Sequence, residues 1–137
     1  MTDPDLVAKK LALIETCVRE LRTLGHPAAI PTDLVQQRFA ELTLQIAIQA
    51  MLDVASHIVS DQRLGEPRTN RELVDLLARA GWLPPELADT MRRMVGFRNV
   101  LVHGYDVVDV GIVQDVVEHR LDDLLAFVAV IRRRVAE

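Results

Sequence analysis

The chain of 137 residues has a single cysteine, Cys17, so neither an internal disulfide framework nor a cysteine-built zinc site is available to it. Such sparing use of thiols points to a reducing compartment, the cytoplasm. Aromatic residues are also scarce, at 4%, and a core must therefore come from Leu, Val, Ile, Ala and Met. Uninterrupted apolar runs fall short of the roughly 18 residues that a membrane-crossing helix takes. The opening Met1-Thr2-Asp3-Pro4-Asp5 is acidic, where a signal peptide is basic and then apolar. No membrane is expected as a partner. Excess positive charge is missing too: 16 Lys and Arg stand against 20 Asp and Glu, a net charge of −4. That excludes a polybasic surface but not a small cationic site.

What is present favours helices. Half of the residues are hydrophobic and 26% are charged, which suits one soluble domain spanning residues 1–137. The few glycines and prolines cluster at Gly25-His26-Pro27 with Pro31, Gly65-Glu66-Pro67, Gly81 to Pro84-Pro85, and Gly104 with Gly111. These clusters cut the chain into about five segments. The first, Pro4 to Leu24, has Asp3 as N-cap and an apolar stripe at Leu11, Ile14, Val18 and Leu21, with Lys9, Lys10, Glu20 and Arg22 facing elsewhere. The second, Asp33 to Val59, is the longest. Its Val35, Phe39, Leu42, Ile46, Ile48, Met51, Val54 and Ile58 wrap more than one face, as in a helix that is central or shared with a partner.

The third segment opens with Thr69-Asn70-Arg71-Glu72, a capping box, buries Leu73, Leu76 and Leu77, and stops at Gly81. The fourth runs from Pro84 to Val102. The fifth, capped by Asp109, runs from Val110 to Val135 with a stripe at Val113, Val117, Leu121, Leu124, Val128 and Ile131. No segment keeps the period-two alternation of a strand, and Val107-Val108 is assigned to a helix junction. The predicted fold is all-α, an up-down bundle of about five helices. The long second and fifth segments carry more apolar surface than such a domain needs, which predicts a homodimer.

Chemistry is most plausible in the fourth segment. Continuing the steps Leu87, Met91 and Met94 lands on Arg98, a guanidinium on a core-facing stripe. An unpaired buried charge is costly, so an ion pair with a carboxylate of a neighbouring helix, or a snorkelling stem, explains it without any function. Five residues on stand His103-Gly104-Tyr105. A five-residue step turns an ideal helix by roughly 140°, so Arg98 and His103 share no face. They converge only if the helix breaks near Val102 or if they meet across a symmetric interface. A histidine at a helix C-terminus beside a phosphate-matching arginine is a minimal phosphodiester site. A lone histidine is more often structural.

Arg98-Asn99-Val100-Leu101-Val102-His103-Gly104-Tyr105 resembles the Arg-x4-His-x-Tyr signature of the HepT-like ribonucleases, which are helical HEPN domains. The surroundings are similar as well: Gln37-Arg38-Phe39-Ala40, Asp53-Val54-Ala55-Ser56-His57, Gly81-Trp82-Leu83-Pro84 and Met94-Val95-Gly96-Phe97. The likeness covers nearly the whole chain. It implies a homodimer whose two motifs face one another and which cleaves RNA without a metal or cofactor. It also implies the toxin of a toxin–antitoxin pair, whose antitoxin is a nucleotidyltransferase of the MNT type that transfers AMP to the motif tyrosine, here Tyr105. Arg98 and His103 are then catalytic, and Asn99, the polar residue after the motif arginine, positions the substrate or the histidine. His103 would take the ribose 2′-hydroxyl proton and Arg98 would stabilise the phosphoryl charge, with a second His103 as the acid. The alternative is a non-catalytic helical dimer that binds a nucleotidyltransferase, or a purely structural bundle.

Other candidates have plainer explanations. Asp53 and His57, four apart on one helix face, suit structural hydrogen bonding better than a two-ligand metal site. Arg132-Arg133-Arg134 reads as a solvated helix end, Arg92 and Arg93 as a cleft rim or an ordinary surface, and Trp82 as a packing anchor. His26 and His119 suggest nothing functional, and Cys17 reads as a small buried hydrophobe.

Overall fold

A computed structural model describes residues 3–104 and 108–137. Among them are six α-helices and no strand: α1 (Pro4–Leu24), α2 (Leu34–Asp61), α3 (Asn70–Arg79), α4 (Pro85–His103), α5 (Val110–His119) and α6 (Leu121–Ala136). Local chemistry sets most of the ends. Asp3, Asp33 and Asp109 each cap a helix by accepting backbone N–H bonds from its first turn. Thr69 accepts from the Glu72 amide at 3.2 Å, but Glu72 reaches back to the amide of Arg68 rather than to that of the cap itself. α3 ends in a Schellman motif, in which the Trp82 amide donates to Leu77 and the Gly81 amide to Ala78. Gly81 there has φ +81°, a conformation open to glycine at little cost.

α2 is the hub, packing against all five other helices. It is long and apolar enough to cross a membrane by composition, yet most of its apolar window is buried in the bundle. Its core side includes Leu44, Ile48, Met51 and Ile58, all inaccessible. Burying each such side chain contributes about 1.5–3 kcal/mol relative to exposure. α1 lies along α2 with Leu11, Ile14, Val18, Leu21 and Cys17 buried, as its stripe predicts. In α3 the buried side is Leu73, Val74 and Leu77, whereas Leu76 is half-buried over Gly65.

The predicted fifth helix is two helices. The chain bends at Arg120 (φ −119°, ψ 0°), although the stripe from Val113 to Ile131 stays buried throughout. No glycine or proline marks the bend. The bend goes with tertiary packing: α5 packs against α2 and the Pro27–Ala29 turn, and α6 mainly against α1 and α4, with a lesser contact to α2. A straight rod cannot serve both sets of neighbours. Asp122 and Asp123 then fall in the first turn of α6, where the helix dipole favours them.

Candidate active site

Arg98 sits on the inward side of α4, on the face that buries Met91, Met94, Val95 and Leu101. It has no carboxylate partner among the described residues. Its Nη2 donates instead to the Oε1 of Gln49 on α2, at 2.5 Å, and its buried Nε has no partner among the described residues. The Gln49 amide is held in turn, because its Nε2 donates to Asp53 Oδ1 at 2.8 Å. The other carboxylate oxygen of Asp53 accepts from Lys10 Nζ on α1 at 2.9 Å. Three helices thus contribute one polar chain: Lys10, Asp53, Gln49, Arg98. Asp53 and Lys10 neutralise each other, and among the described residues no carboxylate compensates the positive charge of Arg98.

This chain borders an open cavity of about 420 Å³, lined by Lys10, Gln45, Gln49, Asp53, Arg98 and Val102 together with apolar groups. Around it the surface is unusually apolar. Leu13 and Ile46 line the cavity and are 37% and 40% exposed; Leu42, at 58%, lines an adjoining cavity that shares Gln45. Leu6, one turn before Lys10 on α1, is exposed as well. The second face of α2 seen in the sequence is therefore this one, with Leu42 and Ile46 turned outward and no helix of the chain covering them.

His103 is the last residue of α4 and is exposed, and the following amide, of Gly104, closes the helix by donating to Val100 at 2.8 Å. The helix continues unbroken through Val102, so the five-residue step keeps His103 and Arg98 on different faces. No hydrogen bond joins them among the described residues. Asn99 is exposed on the outer side of α4. Tyr105, the predicted modification site, and Val107 lie outside the described residues.

The remaining candidates are engaged elsewhere. Arg92 is gripped by Asp75 at 2.6 Å and Asp89 at 2.7 Å, which keeps its guanidinium still more firmly protonated than usual. Among the described residues Arg93 reaches Thr90 on its own helix. The C-terminal arginines are not simply solvated. Arg132 binds Glu15 through both terminal nitrogens, holding that carboxyl below its ordinary range, and Arg134 stacks over Trp82 at 4.7 Å and donates to the Gly81 carbonyl. His57 Nε2 accepts from the Asp3 amide, a structural role at the start of α1. Cys17 is buried, and burial pushes its thiol pKa up. Among the described residues no three His, Cys, Asp or Glu side chains gather where a metal could be held.

Two participants escape the sequence reading. Lys10 lies off the apolar stripe of α1, yet it turns to Asp53. Gln49 carried a signal: it is a lone amide between Ile48 and Ala50 in the most apolar part of the longest helix. Like Arg98, it is a polar group where periodicity calls for an apolar one.

A helical bundle with this arginine and histidine on one helix defines a class, and the chain belongs to the Ribonuclease HepT-like family, whose family model matches residues 14–131. Its relatives carry more specific descriptions. The chain is 34% identical over 129 residues to the mRNA nuclease HepT of Shewanella oneidensis, covering 93% of this chain and 97% of that protein. To the tRNA nuclease HepT of Aphanizomenon flos-aquae it is 35% identical over 109 residues, 78% of this chain and 74% of that one. Its fold matches the tri-AMPylated Shewanella oneidensis HEPN toxin, solved in complex with an MNT antitoxin, with a TM-score of 0.89 at 33% identity, over 96% of this chain and 99% of that one.

Proposed function

We propose that the protein is a metal-independent endoribonuclease, the toxin of a toxin–antitoxin pair, in which Arg98 and His103 are catalytic. The observation that carries this reading is the state of Arg98. It is a half-buried guanidinium beside an open cavity, fixed in place by a neutral amide, with its charge unspent. A planar guanidinium matches the oxygens of a phosphodiester. His103 takes the proton from the ribose 2′-hydroxyl, and the freed oxygen bonds to the adjacent phosphorus. The bond from phosphorus to the 5′-oxygen breaks, and His103 of the partner subunit returns a proton to that oxygen. Arg98 stabilises the charge that builds on the phosphoryl oxygens, and Asn99 orients substrate or histidine. The products are a 2′,3′-cyclic phosphate and a 5′-hydroxyl, and the need for a 2′-hydroxyl confines the reaction to RNA.

Since Arg98 and His103 share no face within one chain, the site is completed by a second copy. The uncovered apolar rim of Leu13, Leu42 and Ile46 around the Arg98 cavity is the surface we assign to that homodimer. Leu42→Asp should yield a monomer in sedimentation equilibrium and lose cleavage; a variant that stays dimeric would place the interface elsewhere. Cytoplasmic location follows from an RNA substrate. The partner that neutralises the toxin is an MNT-type nucleotidyltransferase that transfers AMP to Tyr105, two residues beyond His103. AMP brings a phosphate that competes for Arg98 and a nucleoside that blocks entry. Tyr105→Phe should keep the nuclease and escape neutralisation on co-expression. Incubating the purified chain with RNA in EDTA tests the core of the reading. Cleavage is expected to fall at least about 100-fold in Arg98→Ala and in His103→Ala. An inert wild-type chain that still binds the nucleotidyltransferase would favour a non-catalytic binding module.

A further inference from the structure

We infer that Gln49 is a positioning residue for the reaction, and that its value lies in being neutral: it orients the Arg98 guanidinium without consuming its charge. The inference rests on the reading of Arg98 as the phosphate-binding group, and it adds residues which that reading does not contain. An arginine on a core-facing stripe ordinarily finds a carboxylate, because an unpaired charge there is costly. Arg92, six residues earlier on the same helix, finds two. At Arg98 the acceptor is an amide oxygen, and Asp53, the carboxylate at the other end of that amide, stands one side chain further back.

That order has a function. A carboxylate in direct contact would neutralise the guanidinium, and an RNA phosphate would have to displace it. An amide oxygen fixes one Nη2–H and leaves the net charge intact. A free glutamine, however, can present either its oxygen or its nitrogen. Asp53 removes the choice. Because Asp53 Oδ1 accepts from Gln49 Nε2, Gln49 must turn its oxygen toward Arg98. Lys10 completes the device by pairing with Asp53 Oδ2, so the carboxylate does not lower the positive potential at the cavity. Asp53 and Lys10 thus act through Gln49, and Gln49 through Arg98.

The test separates neutrality from mere packing. Gln49→Glu keeps the shape and hands Arg98 a carboxylate. Binding of a fluorescein-labelled 2′-deoxy oligonucleotide, which cannot react, is followed by anisotropy for the full-length wild type, Gln49→Glu, Gln49→Met and Arg98→Ala. Gln49→Glu should weaken binding about tenfold, close to the loss in Arg98→Ala, and flatten the salt dependence by about one phosphate contact. Its unfolding temperature should fall modestly, because the oxygen that replaces the Nε2–H faces Asp53 Oδ1, so binding is measured well below that transition. Gln49→Met removes the acceptor without adding charge. It should bind the oligonucleotide nearly as wild type and cleave saturating RNA at least tenfold more slowly, a change in kcat rather than in KM. Wild-type binding by Gln49→Glu overturns the inference, as does a wild-type cleavage rate in Gln49→Met. If the wild type cleaves no RNA yet Gln49→Glu and Arg98→Ala lose binding together, the nuclease reading falls, and with it the positioning role in catalysis, while the charge-sparing contact of Gln49 with Arg98 stands as a feature of nucleic-acid binding.

Discussion

Arg92 and Arg98 lie on one helix, six residues apart, and their surroundings are opposite. On the side of α4 that meets α3, Arg92 is clamped by Asp75 across the helix boundary and by Asp89 one turn back. Its charge is fully spent on the fold. On the side that meets α2, Arg98 is met by an amide, and its buried Nε finds no acceptor among the described residues. A folding criterion alone would reverse the two, since the guanidinium whose Nε is buried has the poorer partner. An unsatisfied buried donor costs free energy that a protein regains only through something other than stability. The contrast teaches how a functional arginine is told from a structural one: by the charge that its partners leave over.

The comparison can be broken in order of effect. Arg98→Met, apolar and of similar length, should abolish RNA cleavage yet leave the unfolding temperature unchanged or raised, because it removes a half-buried charge with an unpaired Nε. A clear loss of stability would show that Arg98 is structural after all. Arg92→Met should do the reverse: it loses about 1 kcal/mol, since such pairs on a partly open surface are worth little more, which at this size lowers the melting temperature by roughly 3 °C. Cleavage should be unchanged. Equal nuclease loss in both variants would erase the distinction.

The smallest effect is expected from the third kind of arginine, Arg132, which ties α6 to α1 through Glu15. The Glu15 carboxyl is held below its ordinary value of 4.5, chiefly by the hydrogen bond from Arg132. Its stabilisation is therefore fully present above about pH 4.5 and fades as the pH falls through the lowered value. Both side chains are half-exposed, so the acid shift is slight. Glu15→Gln should flatten that part of the stability curve in thermal melts between pH 3 and 6, roughly the window in which an ordinary carboxyl titrates, and leave neutral stability almost unchanged.

Much of this was legible in the chain itself. The caps at Asp3, Thr69 and Asp109 and the stop at Gly81 are short-range chemistry, and the structure keeps all of them. The stripes from Leu11 to Leu21 and from Val113 to Ile131 are buried because a helical period of 3.6 residues admits one such face. Arg98 stood out on the same ground, as a charge where the period demands an apolar residue.

What the tertiary structure decided is everything that depends on which helix lies next to which. Periodicity says that a residue faces inward, not what it meets there. The bend at Arg120 goes with the different main neighbours of α5 and α6, with no local breaker to announce it. Lys10, on the polar side of its helix, became part of the site only because α1 lies against α2 near Asp53. The partner of Arg98 is the sharpest case: a sequence argument expects a carboxylate, and the packing of α4 on α2 supplies Gln49. Hydrogen bonds span about 3 Å, and residues 49 positions apart reach that distance only when the fold has chosen their register.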